Sequence, residues 1–380
     1  MSEIELQQGT PAQVGLCESR WNRVLAYAAE LCHSQQIPAI SLQVQHRGWT
    51  TGPHHFGTRN PGSQTPIDDD TLFLVASLTK PIVAAAILLL TERGELGLNQ
   101  PVHEFLPEFR DAAKRSMTIK HLLTHTSGLP DMLPDNEQLR KASAPLSQFV
   151  EKTSQVELNF PPGRKAQYQS MGYLLLGAII EVVSGKSCQE FLQEELFTPL
   201  KMLDSWLGLP ADPTIHQRVA VLSLPETMQS ATNWNWNSHY WRELGAPWGG
   251  IFSTASDLSR FLRMMLQGGA TGKGLGLLSQ ATLRDAVGNR LDDYPSIPDA
   301  ERRTRGWGLG WRWNWKDHRF CFSDFLPADT VGHWGATGTL FWMDRSREIG
   351  VVLLGTLPLN DRISPLTKLS NMIAAALMKS

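Results

Sequence analysis

The stretch Phe73-Leu74-Val75-Ala76-Ser77-Leu78-Thr79-Lys80-Pro81-Ile82-Val83-Ala84 decides how the rest of the chain is read. An apolar run leads to a serine, a lysine follows at the third position, and an apolar helical pattern continues to Leu90. A helix beginning near Ser77 puts the serine hydroxyl and the Lys80 amine on one face, about one turn apart. A capping serine beside a solvated lysine would have the same spacing, but here both residues border apolar segments, at the edge of a core. No other serine in the chain has lysine at the third following position. A serine hydroxyl is a poor nucleophile until a neighbour takes its proton, and an amine one turn away is such a neighbour.

Outward from this stretch, composition narrows the possibilities. The 380 residues can bury a large core and hold two lobes. With 42% hydrophobic and 19% charged residues and a net charge of −2, the chain has no basic excess that would suit nucleic acid and no acidic tail. A small-molecule or peptide substrate fits better. The segment Met1 to Gln8 lacks the basic and apolar regions of a secretory leader, and the apolar runs Ile82 to Leu90 and Tyr173 to Ile180 are far shorter than a bilayer span. The expectation is a cytoplasmic protein with no membrane partner. Cys17, Cys32, Cys188 and Cys321 are scattered and are read as buried thiols.

The chain opens with an amphipathic helix over Glu18 to Ser34, then Ile40, Leu42 and Val44 alternate with polar residues, and Trp49 to Phe56 reads as the partner of a hairpin. Pro161-Pro162-Gly163 precedes Tyr168-Gln169-Ser170 and an apolar helix from Met171 to Val183 that Gly185 closes. Phe191 to Leu209 reads as a helix and turn, and Thr254 to Asp257 as a capping box before another helix. The tail alternates strands and ends in a helix over Pro365 to Met378. Both ends mix helix with sheet while the middle is mostly helix and loop, so the ends can build one sheet together.

Three regions offer partners for Ser77. Tyr168 sits in a loop just ahead of a helix, where it is either a rim residue or, beside a lysine, a base. To act as a base its pKa must fall from about 10 to near 7, worth about 4 kcal/mol, which an adjacent ammonium such as Lys80 supplies. Gly332-His333-Trp334-Gly335-Ala336-Thr337-Gly338-Thr339 joins two strands, and is either a plain turn or a strand edge whose backbone N–H serves an oxyanion. Ten of the thirteen tryptophans lie beyond residue 230, which fits a core or an apolar pocket. Other patterns carry less. His121 and His125 have a zinc-like spacing but no glutamate between them, and Gly272-Lys273-Gly274 lacks the rest of a P-loop and reads as a flexible turn. No G-x-S-x-G elbow is present.

In order and separation, Ser77-x-x-Lys80, Tyr168-x-Ser170 and His333-Trp334-Gly335 resemble the three motifs of the serine β-lactamase and penicillin-binding protein superfamily, nearest to class C-like β-lactamases and family VIII carboxylesterases. His125 to Pro130, Gly249 to Leu258 and Gly306 to Trp311 resemble family stretches too, so the likeness covers nearly the whole chain. It implies an α/β (α+β) fold, with an antiparallel sheet flanked by helices from residues 1–75 and 305–380, a mostly helical domain from 76–304, and the site at their junction. It implies Ser77 as nucleophile forming an acyl-enzyme, Lys80 and Tyr168 sharing the proton with Tyr168 as base and later as acid to the leaving group, and an oxyanion hole from the backbone N–H groups of Ser77 and Ala336. Ser170, His333, Trp334 and Gly335 would bind substrate, without metal or organic cofactor. The usual asparagine and Lys-Thr-Gly are replaced here by Ser170 and His333-Trp334-Gly335. That change removes groups suited to a carboxylate and adds the bulk of Trp334, so a neutral ester is expected before a β-lactam or a D-amino-acid peptide. A non-catalytic scaffold that kept the fold is the third reading.

Overall fold

The computed structural model describes residues 7–229, 234–267, 276–360 and 364–378. The Gly272-Lys273-Gly274 turn lies outside these residues. The helix Thr79–Glu92 runs through the middle of the larger core, with every residue from Thr79 to Leu90 buried. Its sequence explains this: a helix apolar on all sides has no face to offer water. Pro81 falls in its first turn, where a missing N–H is no loss. Ahead of it, Ala76–Leu78 forms a short 3-10 turn, so the regular helix begins two residues after Ser77.

The main sheet has eight strands: β1 (Gln7–Gln8), β2 (Ala39–His46), β3 (Trp49–Thr50), β4 (His54–Gly57), β8 (Arg312–Trp313), β9 (Val331–Gly335), β10 (Thr339–Asp344) and β11 (Ile349–Gly355). They lie in the order β1-β3-β2-β11-β10-β9-β8, with β4 also on β2; all pairings are antiparallel except β1 with β3. Both ends of the chain thus meet in one sheet. The expected strand Trp49 to Phe56 is two short ones, because the chain turns through Gly52, at φ +73°, and Pro53 between them.

One face of this sheet carries the helices Glu18–His33 and Pro365–Ala376, which close a second core with Ile40, Leu42, Val44, Trp334 and Trp342. The other face is not solvated. Ser41, Gln43 and Gln45, the polar positions alternating along β2, are buried beneath the helix Ala255–Gln267. Gln45 Nε2 donates to Ser259 O at 2.6 Å and Ser256 Oγ to Gln43 Oε1 at 3.4 Å. A strand that reads as half-exposed is therefore covered on both sides, and the helix from the middle of the chain meets part of its polar row, while Ser41 Oγ and Gln45 Oε1 stay buried without a partner.

A separate three-stranded sheet joins β5 (Phe73–Leu74), just ahead of that middle segment, to β7 (Ile251–Ser253) and β6 (Trp206–Leu207) within it. The expected helix and turn over Phe191 to Leu209 begin earlier and end in a strand: a helix at Cys188–Leu192 runs into a π-helical turn at Gln193–Phe197, and after further turns the chain enters β6. Of the expected capping box, one half forms, with Asp257 N donating to Thr254 Oγ1; the Asp257 carboxylate instead receives Asp204 N, Ser205 Oγ and Arg260. Cys188 and Cys321 are buried as expected, whereas Cys17 and Cys32 are only partly so. Among the described residues, no single helix is long and apolar enough to cross a membrane.

Candidate active site

Four pieces of backbone converge on Ser77. The lead-in Phe73-Leu74-Val75 is held by β7 and by the turn after β9: Thr337 Oγ1 donates to Leu74 O at 2.6 Å and Thr339 Oγ1 to Val75 O at 2.8 Å. Ala76 then adopts φ +48°, a left-handed backbone that a residue with a Cβ rarely takes. Such a conformation persists only where its surroundings enforce it, and here it swings Ser77 out of the strand direction into the cleft. Gly335 must be glycine: a Cβ there would come within 2.3 Å of Val75 O and 2.1 Å of Thr339 Oγ1. This close approach brings Ala336, exposed at the tip of the turn, beside the Ser77 segment.

The third piece is the loop before the Met171–Ser184 helix. Gln169 N donates to His125 Nδ1 at 3.1 Å, Ser127 Oγ donates to Gln169 Oε1, and Ser170 N donates to Asp131 O at 3.2 Å. These bonds fix the loop so that the Tyr168 hydroxyl donates to Ser77 Oγ at 2.8 Å. The Tyr168 ring is flanked by His125, Trp307 and His333, with centroids 4.9, 6.0 and 5.9 Å away. The fourth piece is Trp248, whose carbonyl accepts from Lys80 Nζ at 2.8 Å.

Lys80 is the hub. Its Nζ is 3.1 Å from Ser77 Oγ, 3.3 Å from Ser170 Oγ and 4.8 Å from the centre of the Tyr168 ring. The side chain is wholly buried, and that burial, partly offset by the Asp131 carboxylate, pulls its pKa down to about 7. A neutral amine has two N–H donors and one lone pair. Donation to Trp248 O and Ser170 Oγ uses the donors and leaves the lone pair for the Ser77 proton. Tyr168 goes the other way: burial first, and Asp131 second, push its phenol above the ordinary range, and the Ser77 hydrogen bond offsets this only in part. The downward shift expected of Tyr168 from a neighbouring ammonium is absent, because both groups are dry and the amine loses its charge more readily than the phenol gains one.

The residues expected to bind substrate divide. Ser170 serves Lys80. His333 faces the site, buried, with Nδ1 at 2.7 Å from Trp334 O and Nε2 without a partner; burial holds its pKa down at about 3, so it is neutral. Trp334 does not add bulk to the cleft. Strand alternation sends its indole to the opposite face of β9, into the second core, where Nε1 donates to Phe320 O. The zinc-like pair His121 and His125 is split between two structural tasks, since His121 Nδ1 caps its own helix at Thr118 and His125 Nδ1 takes Gln169 N. The tryptophans divide too: Trp311 stacks on Phe261 in the core, while Trp307 stands behind Tyr168.

Sequence reading passes over Arg312. It pairs with Gly332 across β8 and β9, its guanidinium lies 4.0 Å from the Trp315 ring centre, and its charge bears on both Tyr168 and His333. The residue is 6% exposed, Nε and Nη2 are buried without a partner, and burial pulls its pKa down to about 9. No local motif marks such a residue; only pairing to the His333 strand does.

A serine bonded at once to a buried amine and a phenol, next to a turn of free backbone N–H groups, is the arrangement of a serine hydrolase. The β-lactamase family model matches residues 24–365, and the chain belongs to that family. It is 32% identical to penicillin-binding protein 4 of Amycolatopsis lactamdurans over 75% of this chain and 71% of the relative, and 31% identical to esterase EstB of Burkholderia gladioli over 80% and 81%. Its fold is similar to that of a penicillin-binding protein homologue from Caulobacter crescentus, with a TM-score of 0.77 and 24% identity over 95% of this chain and 98% of the other.

Proposed function

We propose that the chain hydrolyses carboxylic esters through an acyl-enzyme on Ser77. The observation that carries this is the double contact of Ser77 Oγ, with Lys80 Nζ at 3.1 Å and Tyr168 OH at 2.8 Å. In the first step Oγ attacks the ester carbonyl and its proton passes to the neutral Lys80 amine. The oxyanion forms against the N–H groups of Ser77 and Ala336. As the tetrahedral species collapses, Tyr168 gives its hydroxyl proton to the departing alkoxide and is reprotonated from Lys80. Water then takes the place of the alcohol, and the same groups act in reverse to release the acid. This ordering departs from the resemblance in making Lys80 rather than Tyr168 the first acceptor, and keeps Tyr168 as the donor to the leaving group.

The likeness to esterase EstB supports an ester substrate. The loss of a third-motif lysine, which weakened the case for β-lactams and peptides, is countered by one observation. Arg312 is a cation close to Tyr168 and His333 with no hydrogen bond or ion pair among the described residues. A guanidinium fork in that state suits a carboxylate. The second reading, a β-lactamase or D-amino-acid peptidase, therefore stays in play. Purified protein is assayed with p-nitrophenyl butyrate, nitrocefin and a D-Ala-D-Ala peptide. Ester turnover with neither of the others supports the first reading; turnover of nitrocefin or peptide at comparable kcat/KM replaces it with the second.

A further inference from the structure

Tyr168 is gripped from both sides by a single residue, His125. The His125 backbone is left-handed, at φ +59°, a region uncommon for residues with a Cβ but more open to histidine and asparagine than to most. Both of its acceptors meet the same loop. His125 O takes Gln167 N at 2.9 Å, and His125 Nδ1 takes Gln169 N at 3.1 Å. The two bonds therefore fall on the amides immediately before and after Tyr168. The imidazole itself lies against the phenol, with ring centres 4.9 Å apart, and is backed by Trp307 at 4.2 Å and Tyr173 at 5.4 Å. Tyr173 is in turn fixed by its hydroxyl, which donates to Leu123 O at 3.1 Å.

His125 is 0% exposed, so it touches no substrate. Because Nδ1 accepts from a backbone N–H, the ring proton sits on Nε2, which is buried without a partner. The ring thus has no hydrogen bond to Ser77, Lys80 or the Tyr168 hydroxyl, and it carries no proton in the reaction. Burial first, and the Lys80 charge second, hold its pKa well below the ordinary histidine range, so Nδ1 stays a neutral acceptor. We infer that His125 is the positioning residue of the proton donor: its two bonds hold the loop on either side of Tyr168 and keep the phenol aimed at Ser77 Oγ, 2.8 Å away, as the alkoxide departs. This role rests on the reading of Tyr168 as donor to the leaving group in ester hydrolysis. It leaves the nucleophile alone, because Lys80 is one turn from Ser77 and is anchored to Trp248 O, outside this clamp. Loss of the clamp therefore acts on leaving-group departure and not on the reactivity of Ser77.

The test compares kcat/KM for ethyl butyrate and p-nitrophenyl butyrate with the rate at which a fluorophosphonate labels Ser77, whose fluoride leaves without a donated proton. His125→Phe keeps a ring but loses the Nδ1 acceptor. It should lower kcat/KM for the ethyl ester by about 10–100-fold, the p-nitrophenyl ester by several-fold less, and labelling by no more than about threefold. Asparagine brings an amide oxygen close to the Nδ1 position and accepts a left-handed backbone, so His125→Asn should regain at least about tenfold of the loss on the ethyl ester. Adding His125→Phe to Tyr168→Phe should cost less than about twofold more, because the donor it positions is already gone. Equal losses on the two esters, no regain in His125→Asn, or a full further loss in the double variant overturns the assignment. His125→Leu replaces His125→Phe if the latter shows no cooperative melt; labelling lost together with hydrolysis in both marks a residue that only holds the fold, and overturns it as well. Equal losses on the two esters in Tyr168→Phe alone would instead remove Tyr168 as the donor, and the role of His125 with it.

Discussion

Lys80 Nζ sits 3.1 Å from Ser77 Oγ while burial holds its amine at a pKa of about 7, so at neutral pH a large fraction of the protein has an uncharged base against its nucleophile. The kcat/KM for a neutral ester should accordingly rise with pH through an apparent pKa near 7 and then level. The Asp131 carboxylate raises the amine's value, so Asp131→Asn should move that limb to lower pH. A pH–rate profile of both proteins checks this; a limb that stays in place in the variant contradicts it.

The same group gives a stability prediction. Its folded pKa of about 7 lies below the ordinary 10.5, so between those values the unfolded chain binds the extra proton. This contribution to stability therefore rises with pH across that window, by up to about 1.4 kcal/mol per pH unit. Urea melts at pH 7.5 and 9.5 should show a smaller gain for Lys80→Met than for the parent.

Tyr168→Phe removes the donor to the leaving group while keeping the ring between His125, Trp307 and His333. We expect kcat to fall about 10²–10⁴-fold. The loss should be smaller for p-nitrophenyl esters, whose leaving group needs little protonation, than for alkyl esters. An equal loss on both would contradict the role of proton donor.

Gly335→Ala would drive a methyl group into Val75 O and Thr339 Oγ1. Displacing the turn moves Ala336 away from the oxyanion, and kcat should drop about 10²–10³-fold. Thr337→Val, which loses only one of the two hydroxyl anchors, should cost about 1 kcal/mol of stability in a denaturant melt and much less activity.

How far the sequence reveals this site depends on the range of each interaction. Ser77 and Lys80 are joined by one helical turn, so spacing alone brings them together. Tyr168, Ser170 and the Gly335 turn are distant in sequence, and only their order and motif likeness tie them to Ser77. Side-chain direction on β9 was missed for Trp334 because the strand is buried on both faces, which erases the alternation that separates inside from outside. The protonation states were inverted for the same reason: desolvation depends on packing that no local pattern encodes, and it neutralises Lys80 before it can act on Tyr168.

Arg312 separates the two substrate readings. Arg312→Met should leave kcat/KM for p-nitrophenyl butyrate within about twofold, since no neutral ester needs the cation. It should lower kcat/KM for a p-nitrophenyl hemiester bearing a free carboxylate by about tenfold or more, the cost of a lost charged hydrogen bond. Equal rates for the charged substrate in parent and variant would remove Arg312 from substrate binding.

The most direct measurement of the central claim is intact-protein and peptide mass spectrometry after treatment with a fluorophosphonate. One adduct per chain is expected, on the peptide containing Ser77, with Ser77→Ala neither labelled nor active on p-nitrophenyl butyrate. Ester hydrolysis that survives in Ser77→Ala, or a label on another residue, would contradict it.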